Sequence, residues 1–149
     1  MAFQRILCPV DFSDPSRRAL DLAVELAQRL GSTLTVLHVY APPGYVLPEG
    51  YMPAGPEVLA EVELRTRESL EAWQKIAQAG GAPTVDIATG IGPAAGEIVH
   101  QARTGGFDLI VVGTHGRTGL AHMVLGSTAE RVVRLATCPV LTVPLHSEA

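Results

Sequence analysis

Two glycines three positions apart, Gly113 and Gly116, follow the apolar run Leu109-Ile-Val-Val112, and Gly126-Ser127-Thr128 then stands at the head of a helical pattern. Without a Cβ, glycine lets the main chain come close to a ligand. A helix start leaves N–H groups without intrahelical partners, and the aligned peptide dipoles favour an anion there. The hydroxyls of Ser127 and Thr128 add further donors. Residues of these types in this order are suited to binding phosphate. His115, between the two glycines, is the histidine placed for ligand contact. Arg117 offers either a charge-assisted phosphate contact or a solvent-facing loop side chain.

Other chemistry is less complete. A G-x-x-x-x-G-K-[ST] loop is absent, so no P-loop lysine stands ready for a γ-phosphate. Gly90-Ile-Gly92-Pro-Ala-Ala-Gly96 misses the dinucleotide fingerprint by one residue and reads mainly as a structural turn, with Pro93 as first helical residue. Asp11, His115 and Ser127 have the types of a nucleophilic triad. The G-x-S-x-G elbow is missing, however, and Ser127 at a helix start has the simpler phosphate role. Turnover of a bound phosphate compound needs a positioned water and a base, for which Asp11 and His115 are the candidates; binding is favoured over turnover. Asp11 also has a plain capping alternative, just before Ser13-Asp14. His38 reads as a satisfied core or rim residue, and His100, His122 and His146 share no metal-ligand spacing. Cys8 and Cys138 make neither a zinc pattern nor a C-x-x-C pair and read as reduced, partly buried small hydrophobes.

Such a turn needs a scaffold, and the chain predicts one. Arg5 to Val10 reads as a short buried strand. Asp14-Pro15 reads as a helix cap and first helical residue, with Leu20, Ala23, Val24, Ala27 and Leu30 on one face and Gly31 as the stop. Thr33 to Val39 is a second strand. Ala41 to Pro56, dense in proline and glycine, reads as a loop that is either a lid or filler. Glu57 to Ala79 is a helix with Trp73 on its apolar stripe, and Glu61/Arg65, Glu63/Arg67 and Glu71/Lys75 are spaced for ion pairs. Thr84 to Ala88 is a third strand, followed by a helix with Ala95, Ile98, Val99 and Ala102 inward. Asp108 to Val112 is a fourth strand, a helix runs from about Ser127 to Ala136, and Val140 to Val143 is a fifth strand.

Strand–helix alternation with long crossovers and apolar strands covered on both faces defines the fold class: α/β, a single open five-stranded parallel sheet with helices on both faces, Rossmann-like. In such sheets ligands bind beyond the carboxyl ends of strands, where the strand order reverses. If the first and fourth strands are neighbours, Asp11 faces the glycine loop across one crevice.

With 149 residues, 47% of them hydrophobic and 17% charged, one domain over 1–149 is expected. A net charge of −4 without a basic block argues against nucleic acid as a partner. No apolar run reaches membrane-span length and no signal-peptide pattern is present, so no membrane partner and a cytoplasmic location are expected.

The spacing Gly113-x2-Gly116-x9-Gly126-Ser127 resembles the ATP-binding pattern of the universal stress protein family. Ile6 to Ser13 resembles the family's first strand with its aspartate, and Gly126 to Val143 its last helix and strand. The resemblance implies the strand order 3-2-1-4-5. It implies a nucleoside pocket lined by Pro9, Val10 and Asp11, with Val39 covering the adenine and Val112 and Gly113 at base and ribose. His115 and Gly116 would approach the phosphates, and Gly126, Ser127 and Thr128 would hold them; Ala129 stands where other members carry a hydroxyl. A Mg2+ bridging phosphate oxygens and a homodimer through the C-terminal edge strand Val140 to Val143 are also implied. The function expected is that of an ATP-binding stress-response regulator whose nucleotide biases a conformation or an interface. The alternatives are a slow Mg-dependent ATPase and a protein–protein interaction module with a vestigial pocket.

Overall fold

The computed structural model describes residues 2–114 and 125–145. Eleven elements follow in order: β1 (Arg5–Pro9), α1 (Asp14–Leu30), β2 (Thr33–Tyr40), β3 (Gly44–Leu47), β4 (Gly50–Pro53), α2 (Pro56–Ala79), β5 (Thr84–Ile91), α3 (Ala94–Thr104), β6 (Leu109–Gly113), α4 (Ser127–Leu135) and β7 (Val140–Val143). Five strands form one parallel sheet in the order β5-β2-β1-β6-β7. Counting these five strands along the chain, that is 3-2-1-4-5, the expected order.

Both faces of the sheet are covered, which explains why its inner strands carry no polar alternation. Ile6, Cys8, Leu34, Val36 and Val111 pack under α1 and α2, against Leu20, Ala23, Leu70 and Ala77. Leu7, Leu37, Ile110 and Val112 pack under α3 and α4, against Ile98, Ala102 and Val132. Cys8 is wholly buried, and burial with the nearby Asp21 charge pushes its thiol pKa up; Cys138 is half-buried. Both cysteines are free. No described helix is long and apolar enough to cross a membrane.

Several boundaries differ from the sequence reading, each for a physical reason. Ser13, not Asp14, caps α1: its hydroxyl accepts from the Ser16 N–H at 3.4 Å, and Asp14 lies one residue inside, where its charge suits the helix dipole. Gly31 is the left-handed stop, at φ 69°. Leu30 faces out, 51% exposed, although it shares the helical spacing. β5 runs three residues past Ala88 because its partner β2 extends to Tyr40, which pairs with Ile91. Gly90 is therefore a strand residue, and a Cβ there would meet Glu97 Cγ at 2.7 Å. Pro93 caps α3 rather than opening it. Glu61–Arg65 and Glu63–Arg67 pair at 2.7 and 3.6 Å, whereas Glu71 and Lys75 form no ion pair.

The largest departure is in the proline-rich stretch. Within Ala41 to Pro56, expected as a loop, the segments β3 and β4 pair antiparallel, with Tyr45 opposite Met52 and Val46 opposite Tyr51. The prolines sit at the margins, where a missing N–H is tolerated, and Gly50 at φ 128° opens the returning strand. The hairpin stands apart from the main sheet, both strands exposed.

Candidate functional site

After β2 and β5 have been laid on one side of β1, the chain crosses to the other side and continues with β6 and β7. The crevice between the carboxyl ends of β1 and β6 is thus the point where the strand order reverses. Ile6 pairs with Leu109 and Leu7 with Ile110, so Pro9 to Asp11 and Val112 to Gly113 emerge side by side.

On the β1 side the exit is tightly held. The Val10 N–H donates to the Leu37 carbonyl at 2.8 Å, and the Val10 carbonyl lies 2.7 Å from His38 Nδ1. Asp11 Oδ1 accepts from the Ser13 N–H at 3.1 Å and from the Ser13 hydroxyl, an Asx-type turn that leads into α1. The capping role weighed for Asp11 is therefore present. Phe12 has φ 63°, unusual for a bulky residue and typical of segments held by their surroundings. Its ring lies 4.7 Å from that of His38 and edge-on to Trp73 at 5.3 Å. Trp73 is accordingly half-buried packing, as its place on the apolar stripe suggested.

On the β6 side Val112 is buried and Gly113 half-buried. A Cβ on Gly113 would meet the Pro15 carbonyl oxygen at 2.9 Å. This glycine admits the first turn of α1 against the end of β6. The Thr114 N–H donates to Val143 O at 3.0 Å, and the Thr114 carbonyl accepts from the Gly126 N–H. The chain thus leaves the sheet at Thr114 and re-enters α4 beside the same point. His115 and Gly116 lie in 115–124, outside the described residues, as do Arg117 and His122.

α4 starts with Gly126 as its cap, extended at φ −71° and ψ 163°, with no side-chain cap bond. Its first turn presents Ser127 and Thr128, both exposed, and the Gly126 carbonyl takes the Glu130 N–H at 2.9 Å. Ala129 is buried against the sheet, so a hydroxyl at this position would point toward the core.

Not every candidate shares a face. Val39 and Val112 belong to the side under α3 and α4, whereas the Val10 side chain is buried on the α1 side and both its main-chain polar groups are engaged. A polar cluster that no local pattern announced lies beyond Val39. Tyr40 donates to Glu63 Oε2 at 2.5 Å, Thr89 donates to Glu63 Oε1 at 3.1 Å, and Arg67 stands 3.6 Å from the same carboxylate. Burial, then the Glu63 hydrogen bond and charge, raise the Tyr40 phenol to about 12. These residues come from β2, α2 and β5, so only the tertiary fold assembles them.

The model of the universal stress protein family matches residues 2–144. A universal stress protein of Bacillus subtilis is 38% identical over 95% of this chain and 99% of its own length. One from Methanocaldococcus jannaschii is 38% identical over 95% of this chain and 82% of its own. Among solved structures, a universal stress protein of Lactobacillus plantarum superposes with a TM-score of 0.80 at 28% identity, over 96% and 99% of the two chains. A universal stress protein in complex with cAMP gives a TM-score of 0.75 at 25% identity, over 98% and 100%. One from Archaeoglobus fulgidus in complex with dAMP gives 0.67 at 25% identity, over 95% and 98%. With an open parallel sheet reversing between β1 and β6 and this likeness over nearly its whole length, the chain belongs to the universal stress protein family.

Proposed function

We propose that this protein is a cytoplasmic, ATP-binding stress-response regulator, a single nucleotide-binding domain whose nucleotide occupancy biases a conformation or a partner interface. The observation that carries the reading is the helix start at Gly126, without a side-chain cap and hydrogen-bonded to Thr114 at the mouth of the β1/β6 crevice. Free N–H groups and the dipole there suit phosphate. The nucleoside lies over the main chain at Pro9, Val10 and Asp11 and over Val112 and Gly113, with Val39 at the adenine. Gly126, Ser127 and Thr128, joined by His115 and Gly116, hold the phosphates. The solved relatives complexed with cAMP and dAMP support an adenine nucleotide in a fold of this kind. Among the described residues no three His, Cys, Asp or Glu side chains gather to hold a metal. A Mg2+ held mainly through the phosphate oxygens is part of this reading.

Titration calorimetry of nucleotide-stripped protein tests this. ATP with Mg2+ is expected to bind saturably, and at least about tenfold more tightly than AMP, a difference of about 1.4 kcal/mol for the added phosphates. Equal affinities would remove the outer phosphates from the α4 end. Binding of neither would leave a protein–protein module.

We also propose a homodimer through β7, the sheet edge on which Leu141 is 37% exposed. Ile110 donates to Pro139 O and Thr114 to Val143 O, so alternate residues from Pro139 onward face β6 while Val140 and Thr142 point their main-chain groups outward. An unpaired apolar edge favours pairing with a second chain. Thr142→Pro deletes an outward N–H and spares the β6 ladder. Gel filtration is expected to show a dimer for the wild type and a monomer for the variant. An unchanged dimer would exclude β7 from the interface.

A further inference from the structure

We propose that His38 is a positioning residue of the nucleotide site: its Nδ1–H holds the Val10 carbonyl and thereby fixes the peptide that carries Asp11 to the crevice. This rests on the adenine-nucleotide reading given above. A carbonyl oxygen only accepts, so at 2.7 Å the hydrogen belongs to His38 Nδ1. The other polar end of the same peptide, the Asp11 N–H, reaches Ser16 Oγ at 3.3 Å. Because the peptide is planar, gripping its C=O from β2 and its N–H from α1 removes its freedom to rotate. The imidazole acts a second time through its face. It lies against Phe12 at 4.7 Å and stacks with Tyr40 at 6.5 Å, bracing the residue whose φ of 63° turns the chain into α1.

The bond satisfies the ring of His38, as expected of a rim residue, and the peptide it holds is the one between Val10, the last core residue of the β1 exit, and Asp11. His38 reaches it across 28 residues of sequence. Its side chain lies on the α1/α2 side of the sheet, the side opposite Val39, so it acts on the site through the main chain rather than as a contact.

The test is calorimetric titration of the full chain with AMP and with ATP for the wild type, His38→Asn and His38→Phe. The asparagine amide places a donor near the position of Nδ1, whereas phenylalanine keeps an aromatic ring and loses the donor. Loss of one hydrogen bond that orders the site is expected to weaken both nucleotides about tenfold in His38→Phe, and His38→Asn is expected to stay within about threefold of the wild type. The nitrogen NMR spectrum of the wild type is expected to show His38 as the Nδ1–H tautomer. Wild-type affinity in His38→Phe, equal weakening of both variants, or an Nε2–H tautomer would each overturn the role. If His38→Phe fails to fold, Ser16→Ala, which releases the other end of the same peptide, is expected to weaken binding several-fold, and unchanged affinity there would overturn it. A wild type that binds neither nucleotide would sink the reading of the site itself, an outcome distinct from variants that bind normally.

Discussion

Ser127→Asp is expected to lower ATP affinity about a hundredfold while leaving thermal stability unchanged or slightly raised. Ser127 is the first residue of α4 and is exposed, so the substitution creates no steric conflict in the core. A carboxylate in a first helical turn gains roughly 0.3–1 kcal/mol from the dipole. It also stands four residues before Arg131, within reach of an added ion pair. The same charge opposes a phosphate. Two unit charges about 4 Å apart repel by about 4 kcal/mol at an effective dielectric near 20, and screening leaves roughly half to three-quarters of that. The loss should be larger for ATP than for AMP, because each added phosphate meets the carboxylate. Calorimetry and a thermal melt on the same sample separate the two effects. Retained ATP affinity would move the phosphates away from α4, and a large drop in stability would mean that the first turn is structural.

Gly113→Val is expected to destabilise the fold by about 3 kcal/mol, at the upper end of overpacking costs. Any Cβ at Gly113 lies 2.9 Å from the Pro15 carbonyl oxygen and 3.2 Å from its carbon. Those are backbone atoms of the first turn of α1, which yield only if the helix moves. Valine adds two methyl groups to a contact already too short, so α1 is pushed off β6 and the Asp11–Ser13 turn moves with it. Urea or thermal unfolding measures the effect, with a fall in melting temperature of roughly 6–12 °C. Gly96→Ala in α3 is the control: nothing lies within 4 Å of its added Cβ, and it should gain about 0.5–1 kcal/mol from helix propensity. If Gly113→Val melts like the wild type yet loses nucleotide, then ligand approach, not helix packing, selects glycine there.

Gly113 shows how far the residues could be read before the fold was known. Its placement at the end of an apolar strand followed from the run before it, and the need for a close approach followed from the missing Cβ. That α1 approaches it from within the protein did not, because Pro15 is far away in sequence. Val10 carries the same lesson: position in the chain put it at the strand exit, but the face it buries depends on where β1 leaves the sheet. The hairpin of β3 and β4 was hidden by its prolines, which argue against a sheet interior but allow a short exposed pair.

The alternation of strands and helices, the parallel sheet class, the glycine stop of α1 and the glycine-capped start of α4 were determined by the sequence itself. Periodicity, propensity and capping act over a few residues and can be read there. The neighbourhood of β1 and β6, the two faces that divide Val10 from Val39, the grip of His38 on Val10 and the Glu63 cluster were decided by the tertiary structure. Each depends on register between segments distant along the chain, and a register is settled only when every apolar face is buried at once.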